Sequence, residues 1–167
     1  MLGVQMLSHC GLPLTLLLLL LLANGAPVVL GLLFGAAAGP VDGGRVWRDG
    51  RPVFGRSKTW RGLAAALVLT PVAAWILGCG WEVGLTIALA AMVGDLLASF
   101  TKRRLGLVSS ASVPVFDQLP ETLLPALLVA EAMGLDWVDL GLAIGAFVVL
   151  DLVLTPVGKR LAGRRRR

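Results

Sequence analysis

The sequence predicts an all-α integral membrane protein, a bundle of about five transmembrane helices forming one domain over residues 1–167. Three observations carry that expectation. The chain is 57% hydrophobic and only 15% charged, with a mean hydropathy of +0.86, whereas soluble domains carry about 25% charged residues. Its apolar stretches approach the roughly 20 residues that a helix needs to cross a ~30 Å hydrocarbon layer. All 15 Lys and Arg residues fall into three separate segments. With five spans these segments share one side of the bilayer, which the positive-inside rule makes cytoplasmic. The amino terminus is then outside and the carboxyl terminus cytoplasmic.

The first span is predicted over 12–38. Its Leu16–Leu22 run has no Lys or Arg before it, so it reads as an uncleaved helix rather than a signal peptide. Asn24-Gly25-Ala26-Pro27 is expected to kink it or free backbone carbonyls. The second span is placed at 63–77 and the third at 83–100, with Asp95 inside it. The fourth is placed at 119–133, opened by Pro120, and the fifth at 137–157, with Asp151 inside it. Trp60, Trp81 and Trp137 lie at span ends, as aromatic belt residues do. The outer connections are short and acidic. The cytoplasmic loops, 40–62 and 101–118, are longer than simple turns require and concentrate Gly, Pro and polar residues, so chemistry is expected there.

The net charge of +5 and pI near 10.2 would suit nucleic acid, but the sorting of the bases by membrane side argues for topology instead, and no nucleic-acid partner is expected. Cys10 and Cys79 show no metal-ligand spacing and are read as packing residues without a disulfide framework. His9 has no partner motif. The Arg164–Arg167 tail reads as a topology and headgroup anchor, and Asp42 and Asp49 as turn residues.

The third span carries the strongest chemical signal. Asp95, Ser99 and Lys102 recur at i, i+4 and i+7, one helical face, with Arg103 beside it. Asp95 sits roughly 9 Å inside the cytoplasmic end at 1.5 Å per residue, where a carboxylate needs a partner or a cavity. Such a face suits metal and phosphate, and Gly94 permits close backbone approach. In the first loop, Gly55-Arg56-Ser57-Lys58-Thr59-Trp60-Arg61-Gly62 offers cations, hydroxyls and N–H groups to a phosphate chain at the start of a helix. The P-loop order is absent. In the second loop, Pro114-Val115-Phe116-Asp117-Gln118-Leu119-Pro120-Glu121 brings Asp117 to the start of span four. There it can meet Asp95 and share Mg²⁺, an ion held by carboxylates together with substrate phosphates. Asn24 and Asp151 are open between structural and functional roles.

Gly55–Gly62, then Gly94-Asp95-Leu96-Leu97-Ala98-Ser99-Phe100-Thr101-Lys102-Arg103-Arg104, then Pro114–Glu121 resemble, in that order, the CDP-archaeol synthase family, a compact relative of the CDP-diacylglycerol synthases. Asn24–Pro27 and Pro40-Val41-Asp42-Gly43-Gly44 extend the resemblance over most of the chain. It implies five spans with an outside amino terminus and an active site facing the cytoplasm at the cytoplasmic (inner) membrane. The implied reaction moves CMP from CTP onto a lipid phosphate, with Mg²⁺, giving a CDP-lipid and pyrophosphate. On that reading Lys58, Thr59 and Arg61 hold CTP phosphates and Asp95 and Asp117 hold metal. Ser99, Lys102 and Arg103 bind phosphates of nucleotide or lipid, with Lys102 among the catalytic group, and Gln118 joins the substrate-binding set. The chain departs from the family in two places. The His-Gly-Gly stretch of the longer diacylglycerol enzymes is absent, and Pro120-Glu121 stands where archaeal members have Asp-Phe. The acceptor is thereby open between an ether-linked isoprenoid phosphate and phosphatidate, and the oligomeric state is open too. Two other classes compete: a small transporter or flippase for an anionic lipid or metabolite, and a non-catalytic scaffold binding anionic lipid.

Overall fold

The computed structural model describes residues 10–34, 39–108 and 117–164, with side chains as far as residue 154. Outside the described residues lie His9, positions 35–38 of the predicted first span and 109–116 of the second loop, which include Pro114-Val115-Phe116. Arg165–Arg167 and the side chains of Lys159, Arg160 and Arg164 also lie outside them.

Five helices follow in order among the described residues: α1 Pro13–Phe34, α2 Trp60–Ile76, α3 Trp81–Arg104, α4 Gln118–Met133 and α5 Trp137–Arg164. Helices α1, α3 and α5 are long and apolar enough to cross a membrane. Helices α2 and α4, with 17 and 16 residues, reach about 25 Å at 1.5 Å per residue.

Local chemistry fixes the ends. Thr59 caps α2, its Oγ1 accepting from Gly62 N at 3.2 Å. Gly78 and Gly80, at φ 80° and 84°, turn the chain between α2 and α3 in a conformation that a side chain would resist. Asp136 caps α5, its Oδ1 accepting from Val138 N at 2.8 Å and Asp139 N at 2.9 Å. Pro120 lies in the first turn of α4, where its missing N–H costs nothing.

Helix α1 runs through the Asn24–Pro27 segment, where Pro27 has no N–H to give to the carbonyl four residues before it. Asn24 Nδ2 donates to the Leu20 carbonyl at 3.0 Å, a local bond that supports the helix beside the proline. Cys10 and Cys79 are not separate packing residues; they form a disulfide across a Cα–Cα distance of 5.0 Å. Sequence distance hid this, because the link ties the entry of α1 to the α2–α3 turn. Helix α3 also continues past the predicted 83–100 through Lys102, Arg103 and Arg104, whose positive charge suits a helix carboxyl end.

Helix α1 packs against all four other helices. Its inward face, Leu16, Leu19, Leu20 and Ala23, is fully buried, and it meets Ala66, Ala74, Ile87, Ala91, Val129 and Phe147. Small residues let the backbones approach closely, as in membrane bundles. Gly84 of α3 lies against Pro71 and Ala74, and a Cβ there would fall 2.6 Å from each. Large apolar side chains such as Leu14, Val68, Val93, Leu128 and Val149 point outward and are more than 40% exposed, as expected where the surrounding solvent is lipid. Trp60, Trp81 and Trp137 begin α2, α3 and α5 and are 59%, 54% and 80% exposed.

Candidate active site

One cavity of about 410 Å³ opens among the helices at the end where α3 finishes and α2 and α4 begin. That size suits a small-molecule ligand. The α3 face predicted from the i, i+4, i+7 spacing lines it: Asp95, Ser99 and Lys102, with Arg103. Ser57, Lys58 and Thr59 enter from the loop before α2, Asp117, Gln118 and Glu121 from the start of α4, and Asp151 from α5. Asn24, Pro27, Val28 and Gly31 of α1 form the remaining wall.

Two close ion pairs cross it. Lys58 Nζ donates to both carboxylate oxygens of Asp95, each at 2.5 Å. Lys102 Nζ contacts Asp117 Oδ1 at 2.8 Å. Arg103 is 4% exposed, and its Nε has no hydrogen-bond partner among the described residues. Gln118 is 2% exposed; its Nε2 donates to Asp151 Oδ2 at 2.7 Å. Because a carboxylate only accepts, that bond turns the amide so that Oε1 faces away from Asp151. This Oε1 is buried and also unpartnered among the described residues. A buried donor and a buried acceptor left unpaired beside a cavity are costly unless a ligand meets them.

The depth of contact between α3 and α4 sets the spacing of the acids. A Cβ built on Gly94 would lie 2.3 Å from the Pro120 carbonyl oxygen, so the two backbones touch at the residue before Asp95. Glu121, delivered by the same contact, feels the charges of Asp95, Lys58, Asp151 and Asp117.

The first loop is held by a second set of contacts. Asp42 is buried, and its carboxylate accepts from Gly44 N at 3.0 Å and from Phe54 N and Gly55 N at 2.9 Å each. Burial alone would push this carboxyl up, but the backbone N–H groups of Gly55, Phe54 and Gly44 together outweigh it and hold it below its ordinary value. Arg104 donates to Asp49 Oδ1 and to the Pro52 carbonyl, both at 2.6 Å, and Arg51 returns a bond to the Arg104 carbonyl at 2.6 Å. Trp47 and Phe54 pack edgewise on Phe100, and the Arg104 guanidinium lies 4.9 Å from that ring. Antiparallel bridging of Pro40 with Thr59 closes the loop. Lys58 is thus presented to Asp95 by a loop clamped onto the end of α3.

Eight of the nine predicted site residues line the one cavity: Lys58, Thr59, Asp95, Ser99, Lys102, Arg103, Asp117 and Gln118. The ninth, Arg61, does not; its guanidinium lies 6.0 Å from the Phe34 ring and donates to the Phe34 carbonyl at 3.5 Å. In α2 it falls three residues after Lys58, on the far side of the Thr59 cap. The hydroxyl of Thr59 serves that cap as well as facing the cavity. Sequence reasoning missed Glu121, although it lies four residues after Asp117 and three after Gln118, on the same face of a helix. It also took Asp42 and Asp49 for turn residues, because the loop contacts that use them span up to 55 positions.

The family model described as "CarS-like: CDP-archaeol synthase" matches residues 77–162. The CDP-archaeol synthase of Hyperthermus butylicus is 42% identical over 105 residues, covering 59% of this chain and 60% of that protein. That of Pyrococcus furiosus is 41% identical over 106 residues, covering 58% and 60%. The chain therefore spans about three fifths of the length of these relatives. A solved structure, described as "Structural insight into an intramembrane enzyme for archaeal membrane lipids biosynthesis", superposes with a TM-score of 0.72 at 33% identity, over 84% of this chain and 90% of that one. With a family model that covers half of the sequence and a fold matched across most of both chains, the protein belongs to the CarS-like CDP-archaeol synthase family.

Proposed function

We propose that this chain is a CTP-dependent cytidylyltransferase that moves CMP onto an archaeal ether-lipid phosphate, giving CDP-lipid and pyrophosphate. The observation that carries the reading is the single cavity in which Lys58, Lys102 and Arg103 face Asp95, Asp117, Glu121 and Asp151 between apolar helices. Phosphoryl-type transfer needs positioning and charge neutralisation more than a protein nucleophile. An oxygen of the lipid phosphate attacks the α-phosphorus of CTP, the bond to the β-phosphate oxygen breaks, and pyrophosphate leaves. Lys58 and Lys102 neutralise the triphosphate, and Arg103, with its unpaired buried Nε, suits an anionic oxygen. The clamped first loop holds Lys58 in register, and the apolar walls limit water.

Among the described residues no three His, Cys, Asp or Glu side chains gather as a ready-made metal site, but the donor types suit Mg²⁺, which one or two carboxylates hold together with substrate phosphates. The cavity's carboxylates and the unpartnered Gln118 Oε1 are hard oxygen donors of the kind this ion prefers. Asp95 and Asp117 are its proposed holders, and when bound it supplies charge neutralisation on phosphate oxygens. The basic loop ends support a site facing the cytoplasm in a five-span bundle whose amino terminus is outside. The Cys10–Cys79 disulfide lies at the opposite end, which agrees with an oxidising exterior.

The test is incorporation of labelled CTP into lipid by the purified chain with Mg²⁺, offered an unsaturated isoprenoid ether phosphate and phosphatidate side by side. Label is expected in the ether lipid and lost in Asp95→Asn. Label in phosphatidate alone would replace the acceptor, and no label with either, in folded protein, would sink the proposal.

A further inference from the structure

We infer that Lys58 and Lys102 act as resident counter-ions that hold the carboxylates closed to free divalent cations, so that the metal enters with the nucleotide instead of waiting in the site. This inference rests on the reading that the cavity takes a nucleoside triphosphate and a divalent ion. Its basis is the pairing already described. The Lys58 ammonium covers both oxygens of Asp95, at 2.5 Å each. These are the two atoms through which that carboxylate would hold a metal. Lys102 does the same for Asp117 through Oδ1, at 2.8 Å. The Lys58 and Asp95 side chains are 22% and 23% exposed, those of Lys102 and Asp117 10% and 22%. Pairs so withdrawn from water leave a costly uncompensated charge when one partner is lost.

The consequence is a three-way exchange. A free cation reaching Asp95 must displace the ammonium that already covers both of its oxygens, so it binds weakly. A triphosphate offers that ammonium a new anion and frees the carboxylate for the ion that the phosphates carry. Nucleotide and metal therefore help each other bind by displacing the same lysine, and the coupling is reciprocal. It also has an unusual sign. Removing the lysine tightens metal binding, and neutralising the aspartate tightens nucleotide binding in the absence of metal. A pair that only supported the fold would weaken both.

The test uses the full chain in detergent. Free Mn²⁺ is followed by electron paramagnetic resonance in a titration without nucleotide. Lys58→Met is expected to lower the Mn²⁺ Kd by about tenfold, the equivalent of about 1.4 kcal/mol. The gain should vanish in Lys58→Met combined with Asp95→Asn. In a second arm, with chelator present, Asp95→Asn is expected to bind CTP severalfold more tightly than the wild type. Lys102→Met tests the same claim at Asp117 and serves if Lys58→Met does not fold. Mn²⁺ affinity unchanged or weakened in a cooperatively unfolding lysine variant overturns the inference. The Mn²⁺ arm needs no turnover. A tenfold gain there alongside no labelled lipid in the wild type would uphold the counter-ion role while refuting the cytidylyltransferase reading.

Discussion

The contact between Gly94 and Pro120 gives a sharp test of how the acids are positioned. In Gly94→Ala the new Cβ falls 2.3 Å from the Pro120 carbonyl oxygen, 2.5 Å from its carbon and 2.8 Å from Glu121 N. All three are backbone atoms, so no side-chain rotation relieves them. Ordinary contact begins near 3.4 Å, and interiors are packed without slack, so α3 and α4 must part by about 1 Å. Overpacking of this kind costs about 1–3 kcal/mol. The larger effect falls on chemistry. Asp95 is the next residue on α3, while Asp117, Gln118 and Glu121 flank Pro120 on α4. A misplacement of about 1 Å in a reacting constellation costs on the order of 10²-fold. The assay is label transfer from CTP to lipid at saturating substrates, with thermal unfolding in parallel. Gly145→Ala is the control, because a Cβ there meets nothing within 4 Å; it should leave turnover unchanged and hold or slightly raise the melting temperature, since Ala favours a helix over Gly. Wild-type turnover and melting temperature in Gly94→Ala would refute the claim that this backbone contact sets the site.

Three further outcomes follow from the same geometry. Lys58→Ala should raise the KM for CTP by about tenfold or more and change that for the lipid little; an unchanged CTP dependence would remove Lys58 from the nucleotide site. Cys79→Ser should lower thermal stability, since a link across a sequence separation of 69 contributes about 2–4 kcal/mol. Full thiol titration of the unreduced, denatured wild type would show that the link is absent. Asp42, held below its ordinary value of 3.8 by backbone N–H groups, supports the first loop when ionised. Its contribution is complete above that value and fades as pH falls through the lower folded one. Protection of the Phe54 and Gly55 amides against hydrogen exchange, relative to the intrinsic rate at each pH, should therefore fall in acid in the wild type and be low at every pH in Asp42→Asn. Equal, pH-independent protection in the two would remove Asp42 from the loop's support.

The parts legible in the sequence were those that repeat locally. Apolar runs pointed to the five helices, while Lys102–Arg104 prolong α3 past the predicted 100 and α5 continues past the predicted 157 to Arg164. The i, i+4, i+7 spacing gave the cavity face of α3 outright, because helical periodicity converts directly into direction. What stayed hidden depends on long-range closure. Nothing near Cys10 points to Cys79, and nothing near Asp49 points to Arg104. Arg61 belongs to the same motif as Lys58, but in the helix it meets the Phe34 ring and carbonyl and does not line the cavity. Pro120-Glu121 stood out only as a departure from the family pattern. The backbone contact at Gly94 shows that the position still delivers a carboxyl group to the cavity.

The most direct test of the account is a single experiment on purified chain with Mg²⁺ and labelled CTP, offering the isoprenoid ether phosphate and comparing wild type with Asp95→Asn. The account predicts labelled CDP-lipid and an equal amount of pyrophosphate from the wild type, and neither from a variant that folds and inserts normally. Equal turnover by the two proteins would contradict the assignment of this cavity as the active site.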